Sequence, residues 1–302
     1  MRISDKWREY ELIDATCGRR LERWGSEIFI RPDPTAVWDL PQADPRWEAA
    51  AAVYTRSDKG GGEWSFNKKL PEKWAVSYGD LKFWVKPMGF KHMGIFPEQA
   101  VNWEFIAERI KGSGRKKVRV LNLFAYTGGA TIAASLAGRT DLSDGDAMPQ
   151  GEVFPQVEVC HVDASRGIVQ MAKENAALNG AGSRPIRYIV DDCAKFVARE
   201  IRRNSLYDAI ILDPPSYGRG PNGEIWKIED ELCKLLELCK QTLTESPLFM
   251  LLNSYTTGMS AGTLKAIMEL IMNKNCEADE LALPVTARKI AIPAGNSVRL
   301  CF

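Results

Sequence analysis

The second part of the chain, from about residue 118 onward, alternates short apolar runs with longer amphipathic segments. Five runs have the length and the β-branched or leucine-rich composition of strands that are covered on both faces: KVRVLNLF, VEVCHVD, IRYIV, YDAIILD and PLFMLLN. Strands that alternate with helices in this way are typical of βαβ units and a mostly parallel sheet. The pattern therefore predicts a doubly wound α/β domain.

The segments between these strands carry helix signals. Ser165 is placed to cap a helix that Gly180 ends. Two further segments repeat apolar residues at helical spacing, one with Cys193, Val197 and Ile201, and one with Ile228, Leu232, Leu235, Leu236, Cys239 and Leu243. Residues 277–302 add two strand candidates around Pro284 and Pro293, which would complete a sheet of seven strands.

The region before about residue 110 has a different pattern, with aromatic residues that alternate along strands such as WAVSYGDLKFWV. Its central Gly79 and Asp80 are a two-residue hairpin signal. We expect a small β-rich domain over residues 1–100, followed by the α/β domain over residues 101–302. Eight of the nine tryptophans lie in this early region, and we expect them to fill its core, with platforms for stacking bases as the alternative. A Gly- and Asp-rich stretch at residues 138–156 is expected to be an exposed insertion.

The composition is that of a globular protein with room for a full core: 302 residues, 45% apolar and 26% charged, with a formal net charge of +1. A charge so close to zero gives no global field that would indicate a nucleic acid or a membrane.

The seven cysteines form no CxxC pair and only two histidines accompany them, so we expect free thiols and no metal. The charged N-terminus lacks an apolar run of signal-peptide length, and no long apolar segment follows, so we expect a cytoplasmic protein with no membrane partner.

Candidate ligand-binding segments follow the first two strands of the α/β domain. Residues 121–130, LNLFAYTGGA, carry a buried strand into a glycine turn that opens a helix, which lets a ligand approach the backbone beside a helix N-terminus. The alternative is that the glycines only allow close packing of helix on strand. Asp163 ends the next strand, where a carboxylate accepts hydrogen bonds from ribose hydroxyls in nucleoside-binding sheets, and helix capping is its alternative role.

Two more segments follow the third and fourth strands. Asp191 and Asp192 stand where a carboxylate can bind the exocyclic amine of adenine; Asp192 is the preferred contact, and one of the two can instead cap the next helix. The motif DPPSY at residues 213–217 is the strongest signal, because two prolines fix the backbone so that Asp213 and its neighbouring carbonyls face outward. Tyr217 can then present its ring to a planar acceptor.

Together, the segments VLNLFAYTGGAT, CHVDAS, ENAALNG, VDDCAKFV and DPPSYGRGPNG resemble the class I S-adenosylmethionine-dependent methyltransferases. The similarity is greatest to bacterial relatives of the large-subunit rRNA cytosine-C5 and guanine-N7 enzymes. It covers about residues 85–302 and includes GFKHMGIFPEQ. The resemblance implies the class I methyltransferase fold and S-adenosyl-L-methionine as the cofactor.

The resemblance also implies roles toward the cofactor. The glycine turn would wrap the methionine end, Asp163 would hold the ribose and Asp192 would meet adenine. Phe96 and Gln99 would close the cofactor pocket from the upstream side. The remaining cofactor-binding candidates are Asn122, Phe124, Ala125, Tyr126, Thr127, Gly128, Gly129, Ala164, Ser165, Asp191, Cys193 and Asp213.

On the acceptor side the catalytic candidates are Asp213 and Pro214, which would line the methyl-transfer site, and Tyr217. A cytosine-C5 enzyme needs a thiolate that attacks C6 of the ring, and the positions expected to supply it hold Pro215 and the cysteine-free stretch NSYTT at residues 253–257. We therefore expect direct in-line transfer to a base nitrogen, with Asp213 orienting the acceptor and accepting its proton. Candidates to contact the edge of the base, with helix capping as the alternative, are Ser216, Asn253 and Tyr255.

The acceptor molecule is the least determined part of the hypothesis. RNA, above all rRNA, is the partner that the resemblance implies, and a protein or a small molecule is the alternative. A non-catalytic cofactor-binding module also stays open, whereas the lack of GxGxxG spacing argues against a nicotinamide dehydrogenase. Because little chain precedes the β-rich region, we expect no additional N-terminal RNA-binding module; oligomerisation is left open. A basic run is compatible with RNA phosphates, although a solvated surface explains it equally well: Lys111, Arg115, Lys116, Lys117 and Arg119, with Arg219 after DPPSY.

Overall fold

The computed structural model of the chain describes residues 1–57, 61–138, 154–219 and 225–302. Contacts within the chain divide it into two compact units. The first contains Met1–Val101 and Leu281–Ala294, and the second contains Asn102–Glu280 and Gly295–Phe302. The expected insertion falls mainly on residues 139–153, which lie outside the described residues.

The first unit is rich in β-structure. In chain order its strands are β1 (Arg2–Ile3), β2 (Tyr10–Thr16), β3 (Arg19–Trp24), β4 (Glu27–Pro32), β5 (Ala52–Arg56), β6 (Gly62–Phe66), β7 (Trp74–Tyr78) and β8 (Leu81–Val85). Strands β2, β3 and β4 form an antiparallel meander, and β5 pairs parallel with β4 and antiparallel with β6. Strands β7 and β8 form a separate hairpin around Gly79 and Asp80, which confirms the predicted turn and the β-rich N-terminal region.

Aromatic side chains form much of the core of this unit. Trp24 is fully buried, and its ring lies 4.6 Å from that of Tyr10. Phe29 stacks on Trp74 with 5.8 Å between the ring centroids. The buried Trp47 donates its indole N–H to the carboxylate of Asp14 at 2.8 Å. These rings are packed inside the unit, as expected from their clustering in the sequence.

The second unit alternates strands and helices. Its elements, with the two strands that link it to the first unit, are α1 (Ala100–Lys111), β9 (Lys117–Leu123), α2 (Gly129–Ala137), β10 (Gln156–Asp163), α3 (Arg166–Leu178), β11 (Ile186–Val190), α4 (Cys193–Arg202), β12 (Ala209–Leu212), β13 (Tyr217–Arg219), β14 (Ile225–Lys227), α5 (Ile228–Lys240), β15 (Phe249–Ser254), α6 (Ala261–Met272), β16 (Glu277–Val285) and β17 (Ile290–Cys301). The strand order is β11-β10-β9-β12-β15-β17-β16. The first five of these strands are parallel and β17 is antiparallel to β15. The predicted doubly wound, mostly parallel sheet is thus confirmed, although its seven strands are part of a 13-stranded sheet that continues from β16 into β2.

The chain leaves and re-enters the second unit through its last two strands. The end of β16 lies in the first unit, where it pairs with β1 and β2, and β17 returns to the second unit. Residues 281–294 therefore group with the N-terminal strands, although they follow the α/β region in the sequence.

Alternate residues of the parallel strands face two different helical layers. Val118 and Val120 of β9 belong to a buried cluster with residues of α1 and α2. Leu121 and Leu123 belong to another cluster with residues of α4, α5 and α6. Because parallel strands all end at the same edge of a sheet, the segments after β9, β10, β11 and β12 meet there. Most of the ligand-binding and catalytic candidates predicted from the sequence lie in or next to these four segments.

Candidate functional site

The backbone forms a tight turn between β9 and α2. Phe124 and Tyr126 adopt left-handed conformations, with φ of 53° and 48°, and Gly128 follows with φ of 90° as the N-cap of α2. The Ala125 N–H donates to Val162 O at 3.0 Å, which ties the turn to the end of β10. A left-handed conformation costs a non-glycine residue about 1–2 kcal/mol. The surrounding contacts therefore hold this turn in a strained shape.

The glycines of the turn allow close packing. A Cβ on Gly129 would lie 2.8 Å from the ring of Trp103, and one on Gly128 would lie 3.1 Å from the Cβ of Ala172. The packing alternative is therefore supported for both glycines. It is compatible with ligand binding, because close packing also brings the N-terminus of α2 to the edge of the sheet.

Asn175, on α3, supports the turn and was not singled out in the sequence. Its side-chain amide donates to Thr127 O at 2.9 Å, and the residue is fully buried. The only sequence signal was its position in ENAALNG, a segment noted for its similarity to the family. Thr127, a predicted cofactor contact, is thus fixed through its own carbonyl.

Asp163 lies at the end of β10 and also holds the glycine turn. One carboxylate oxygen accepts the Tyr126 N–H at 3.0 Å, and the other accepts the Ser165 N–H at 2.9 Å. Burial raises the pKa of Asp163, and these two donors oppose the rise. Each oxygen has a further lone pair, so the carboxylate retains acceptor capacity for ribose hydroxyls. Ser165 caps α3, as predicted, and Ala164 between the two residues is exposed.

Asp191 and Asp192 follow β11, and both have partners within the chain. Asp192 caps α4 by accepting the N–H of the third helical residue at 2.8 Å, so the capping role left open for this pair is filled by Asp192. Asp191 accepts the Asp192 N–H at 2.8 Å and forms an ion pair with Arg199. Cys193 is buried; its Sγ accepts the Phe124 N–H at 3.3 Å, and burial raises the pKa of the thiol well above its ordinary value. The sulfur thus joins the start of α4 to the glycine turn.

Asn122 lies in the buried layer between β9 and α2. Its amide donates to Thr131 Oγ1 at 2.9 Å, and the same oxygen lies 2.9 Å from Nδ1 of His161. Burial lowers the pKa of His161 to about 3, so its imidazole is neutral. This chain of polar groups braces the start of α2 against β9 and β10. Thr131 and His161 were not predicted to take part.

The DPPSY motif follows β12. The Asp213 N–H donates to Leu123 O at 3.4 Å, which places the start of this loop beside the end of β9. Pro214 is buried, and Tyr217, which opens β13, is 49% exposed. The structure therefore brings Asp213 and Pro214 next to the glycine turn and leaves the ring of Tyr217 accessible.

Trp226 braces this loop and was missed in the sequence. Strands β13 and β14 form a short antiparallel hairpin in which Tyr217 pairs with Lys227. The indole N–H of Trp226 donates to Pro215 O at 2.7 Å, and its ring lies 5.1 Å from that of Phe124. Trp226 thus connects the DPPSY loop to the glycine turn. It is the one tryptophan outside the N-terminal group, which is the only sequence signal that it carries.

Side chains after β15 also contact this region. Thr256 donates its hydroxyl to Ser216 Oγ at 2.7 Å, which joins the end of β15 to the DPPSY loop. Asn253 is buried, and its Oδ1 accepts from the Asn102 amide at 3.0 Å. Tyr255 packs closely on Gly295, where a Cβ would lie 2.8 Å from the tyrosine ring. Ser216 and Asn253 therefore have structural partners besides any role toward a base.

Phe96 and Gln99 belong to the first unit, where Phe96 precedes a short 3₁₀ turn, Pro97–Gln99, and Gln99 ends it. The Gln99 N–H donates to Phe96 O at 3.1 Å. The carbonyl of Pro97 accepts hydrogen bonds from Ser4 Oγ at 2.8 Å and Trp7 Nε1 at 2.9 Å. The turn is therefore well fixed within its own unit, and the role of these two residues toward the cofactor stays a prediction.

Two residues of the predicted basic run form ion pairs within the second unit. Arg115 forms an ion pair with Asp208 at 2.6 Å, and Lys117 forms one with Glu158 at 2.5 Å. These cations stabilise the amino ends of the strands. The side chain of Arg219 lies outside the described residues.

Residues 1–57, 61–138, 154–219 and 225–302 contain neither a metal centre nor a membrane-spanning helix. No group of three or more His, Cys, Asp or Glu side chains there is arranged to hold a metal ion. No helix in those ranges has both the length and the apolar character needed to cross a bilayer. All seven cysteines are free thiols.

A doubly wound sheet with a glycine turn after one strand and acids after the next three defines a nucleoside-binding α/β protein. The family described as S-adenosylmethionine-dependent methyltransferase matches residues 49–245. The chain belongs to this family. The predicted cofactor, S-adenosyl-L-methionine, and the predicted class of enzyme are therefore confirmed.

Solved structures and curated proteins similar to the chain carry related names. The SAM-dependent methyltransferase from Agrobacterium tumefaciens has 32% sequence identity and a TM-score of 0.88, and the match covers 99% of this chain and 92% of that one. A Streptococcus mutans protein described as a SAM-dependent methyltransferase shares the fold at 16% identity, with a TM-score of 0.69 over 98% of this chain and 76% of that one.

Ribosomal RNA large subunit methyltransferase K/L of Shewanella baltica is 29% identical over 149 residues, which is 49% of this chain and 17% of the relative. The match to the Shewanella frigidimarina protein of the same name, at 26% identity, covers 59% of this chain and 22% of that protein. The chain thus spans about a fifth of the length of these curated relatives.

Proposed function

We propose that this chain transfers the methyl group of S-adenosyl-L-methionine to a base nitrogen of rRNA by direct in-line displacement. The observation that carries the proposal is the DPPSY loop, which begins beside the end of β9 and leads to the accessible ring of Tyr217. The names of the curated relatives support rRNA as the acceptor. The absence of cysteine from residues 213–217 and 253–257 supports a nitrogen acceptor over carbon C5.

The residues at this edge of the sheet fit a nucleoside with a methionine tail. The Asp163 carboxylate can accept from ribose hydroxyls while it holds the turn. Asp192 uses one oxygen as a helix cap and has a second oxygen for the adenine amine. The turn brings backbone groups and the N-terminus of α2 to the methionine end. When bound, the cofactor supplies a methyl group that its sulfonium has already activated.

The contribution of the chain is to position the acceptor. An RNA base has to leave its stack to reach such a pocket, and the ring of Tyr217 can stack on the flipped base. Asp213 would orient the acceptor nitrogen and accept its hydrogen bond or proton. Positioning of this kind can lower a barrier by about 7–11 kcal/mol in favourable cases. The bond from Trp226 to Pro215 keeps the loop in place for this task.

A cytoplasmic location is part of the proposal. Seven free thiols, among them the buried Cys160, Cys193, Cys239 and Cys276, fit a reducing compartment. Ribosomal RNA is an acceptor that is available there.

A comparison of modified nucleosides in rRNA from a deletion strain and its parent tests the proposal. We expect one N-methylated nucleoside to be lost and to return when the purified chain and the cofactor are added to the mutant rRNA. The Asp213→Ala variant, as the matched control, should not restore it. Loss of 5-methylcytidine, or a covalent adduct with RNA that contains 5-fluorocytidine, would overturn transfer to nitrogen. An unchanged RNA profile together with cofactor-dependent labelling of a protein or small-molecule fraction would overturn RNA as the acceptor.

A further inference from the structure

A cavity lies near the opposite edge of the same sheet. Its volume is about 320 Å³, and its lining includes Arg119, Glu158, Cys160, Arg184, Arg187 and Tyr207. The strand register places Arg119 beside Glu158 and Cys160 beside Arg187, so these side chains share one face of the sheet. Glu158 and Asp163 are five residues apart on β10, which is about 16 Å along an extended strand. The cavity is therefore separate from the candidate cofactor site.

The rim of this cavity carries more positive than negative charge. Three of its lining residues are cationic, Arg119, Arg184 and Arg187, and one is anionic, Glu158. Three cations against one carboxylate leave a surplus of two positive charges. A concave site with such a surplus favours an anion.

Two of the three guanidinium groups in the cavity, those of Arg119 and Arg187, have different surroundings. Arg119 is anchored, because it donates to Leu206 O at 2.5 Å and lies over the ring of Tyr207, 5.0 Å from its centroid. The side chain of Arg187 is 53% exposed, and its ion-pair partner Glu200 is 3.9 Å away. Within the part of the chain that the structure describes, the guanidinium group of Arg187 has no polar contact shorter than this one. Its planar fork of N–H donors is thus available for a phosphate.

The uncharged part of the lining is mainly apolar. Val159, Pro185 and Ile186 supply apolar surface. Burial raises the pKa of Cys160 to about 11, so this thiol stays protonated and is a poor nucleophile. A volume of about 300 Å³ is at the small end of ligand pockets. The occupant is therefore a small molecule with an anionic group and an uncharged body.

We propose that this cavity binds a phosphate monoester of about the size of a nucleoside 5′-monophosphate, with Arg187 as the main phosphate contact and Arg119 as the second. A phosphate monoester carries about −1.5 to −2 charges at pH 7, which matches the surplus of two positive charges. The apolar wall and the edge of Tyr207 would receive the uncharged body. Such a site goes beyond methyl transfer, because it would let a phosphorylated small molecule bind the α/β domain without occupying the cofactor site.

Calorimetric titration of the full chain with uridine 5′-monophosphate at low salt tests the proposal, with S-adenosylhomocysteine present at saturation to fill the cofactor site. We expect saturable binding, and no binding of uridine, which lacks the phosphate. Arg187→Gln should weaken the affinity about tenfold or more, since it removes a hydrogen bond between two charged groups. Arg187→Lys keeps the charge and loses the planar fork, so its affinity should lie between those of the wild type and Arg187→Gln.

Arg202→Gln is the matched control, because Arg202 is an exposed arginine near the end of α4 that does not line the cavity. It should change the affinity by less than about twofold. Equal losses in the Arg187 and Arg202 variants would reduce the effect to net charge and overturn the proposal. The absence of saturable binding would also overturn it. A loss of affinity in Tyr217→Ala but not in Arg187→Gln would place the nucleotide in the acceptor site and refute the second site.

Discussion

Replacing Asp163 with Asn separates the charge at the end of β10 from the shape of the side chain. Asparagine keeps one acceptor oxygen and replaces the other with an NH₂ group. In the wild type the two oxygens accept the N–H groups of Tyr126 and Ser165. In the variant one of these backbone donors would face an amide donor. The substitution therefore weakens the support of the turn and removes an ionised acceptor for the ribose.

Two opposing effects determine the change in the free energy of unfolding. A lost hydrogen bond to a charged group costs about 1.5–3 kcal/mol. Burial already raises the pKa of Asp163, so removing the charge relieves part of a desolvation cost. We expect a net destabilisation of roughly 1–2 kcal/mol. Cofactor binding has no such relief, so it should weaken by about 1.5–3 kcal/mol, or roughly 10- to 150-fold in Kd.

Calorimetry with S-adenosylhomocysteine measures the affinity, and thermal unfolding of the free chain measures the stability. Asp208→Asn is the matched control, because Asp208 also accepts a backbone N–H, that of Arg119 at 2.8 Å, but stands before β12 at the other edge of the sheet. The control should lose stability and keep its affinity within about twofold. An unchanged affinity in Asp163→Asn would remove this carboxylate from the cofactor site. Equal losses of affinity in both variants would show general loosening of the domain.

The raised pKa of Asp163 also gives cofactor binding a pH dependence of known sign. When the pH falls through this pKa, the carboxyl group takes up a proton and loses acceptor capacity, so the affinity should fall. Asp163→Asn should lack this component. The effect on folding has the opposite sign: a carboxyl whose pKa is raised on folding stabilises the fold below its unfolded pKa, and this contribution is lost as the pH rises through the folded pKa. Cofactor affinity and the free energy of unfolding, each measured across the acid pH range for the wild type and for Asp163→Asn, check these signs.

Three further substitutions test other parts of the site. Asp213→Ala should keep the affinity for S-adenosylhomocysteine within about twofold and lower methyl transfer about 10²-fold or more, and full turnover on the true substrate would contradict its catalytic role. Trp226→Phe removes the hydrogen bond to Pro215 O and keeps an aromatic ring, so turnover should fall about fivefold while cofactor affinity changes less; equal changes in both would argue against positioning of the loop. Gly129→Ala brings a methyl group to 2.8 Å from Trp103 and should lower the free energy of unfolding by about 1–3 kcal/mol in a urea titration, whereas no change would mean that the indole moves without cost.

The local parts of the site could be predicted from the sequence. The glycine turn, Asp163 and Asp213 each follow an apolar run of strand length, and parallel strands end at one edge of the sheet. Ser165 caps α3, as its residue type predicted, and the apolar stripe predicted from Ile228 onward lies on α5. Local preference and burial agree in these segments, and for this reason single-chain patterns were sufficient.

Contacts between distant residues could not be predicted in this way. The hydrogen bond from Trp226 to Pro215 and the return of residues 281–294 to the first unit depend on packing that leaves no periodic signal. Asp192 shows another limit. An aspartate after a strand suits both a helix cap and a ligand contact, and only the 2.8 Å bond in the structure shows that the cap is formed.

The left-handed conformations of Phe124 and Tyr126 restrict how this protein can be engineered for thermostability. Glycine at either position would relieve about 1–2 kcal/mol of backbone strain, but it would also enlarge the unfolded ensemble. At position 124 it would in addition remove the ring that Trp226 packs against. At these two positions, a substitution chosen for stability therefore conflicts with keeping the shape of the turn that binds the ligand. Stabilising changes are better placed on the surface, for example at Leu270 of α6, which is 83% exposed and can be exchanged for a charged helix-forming residue.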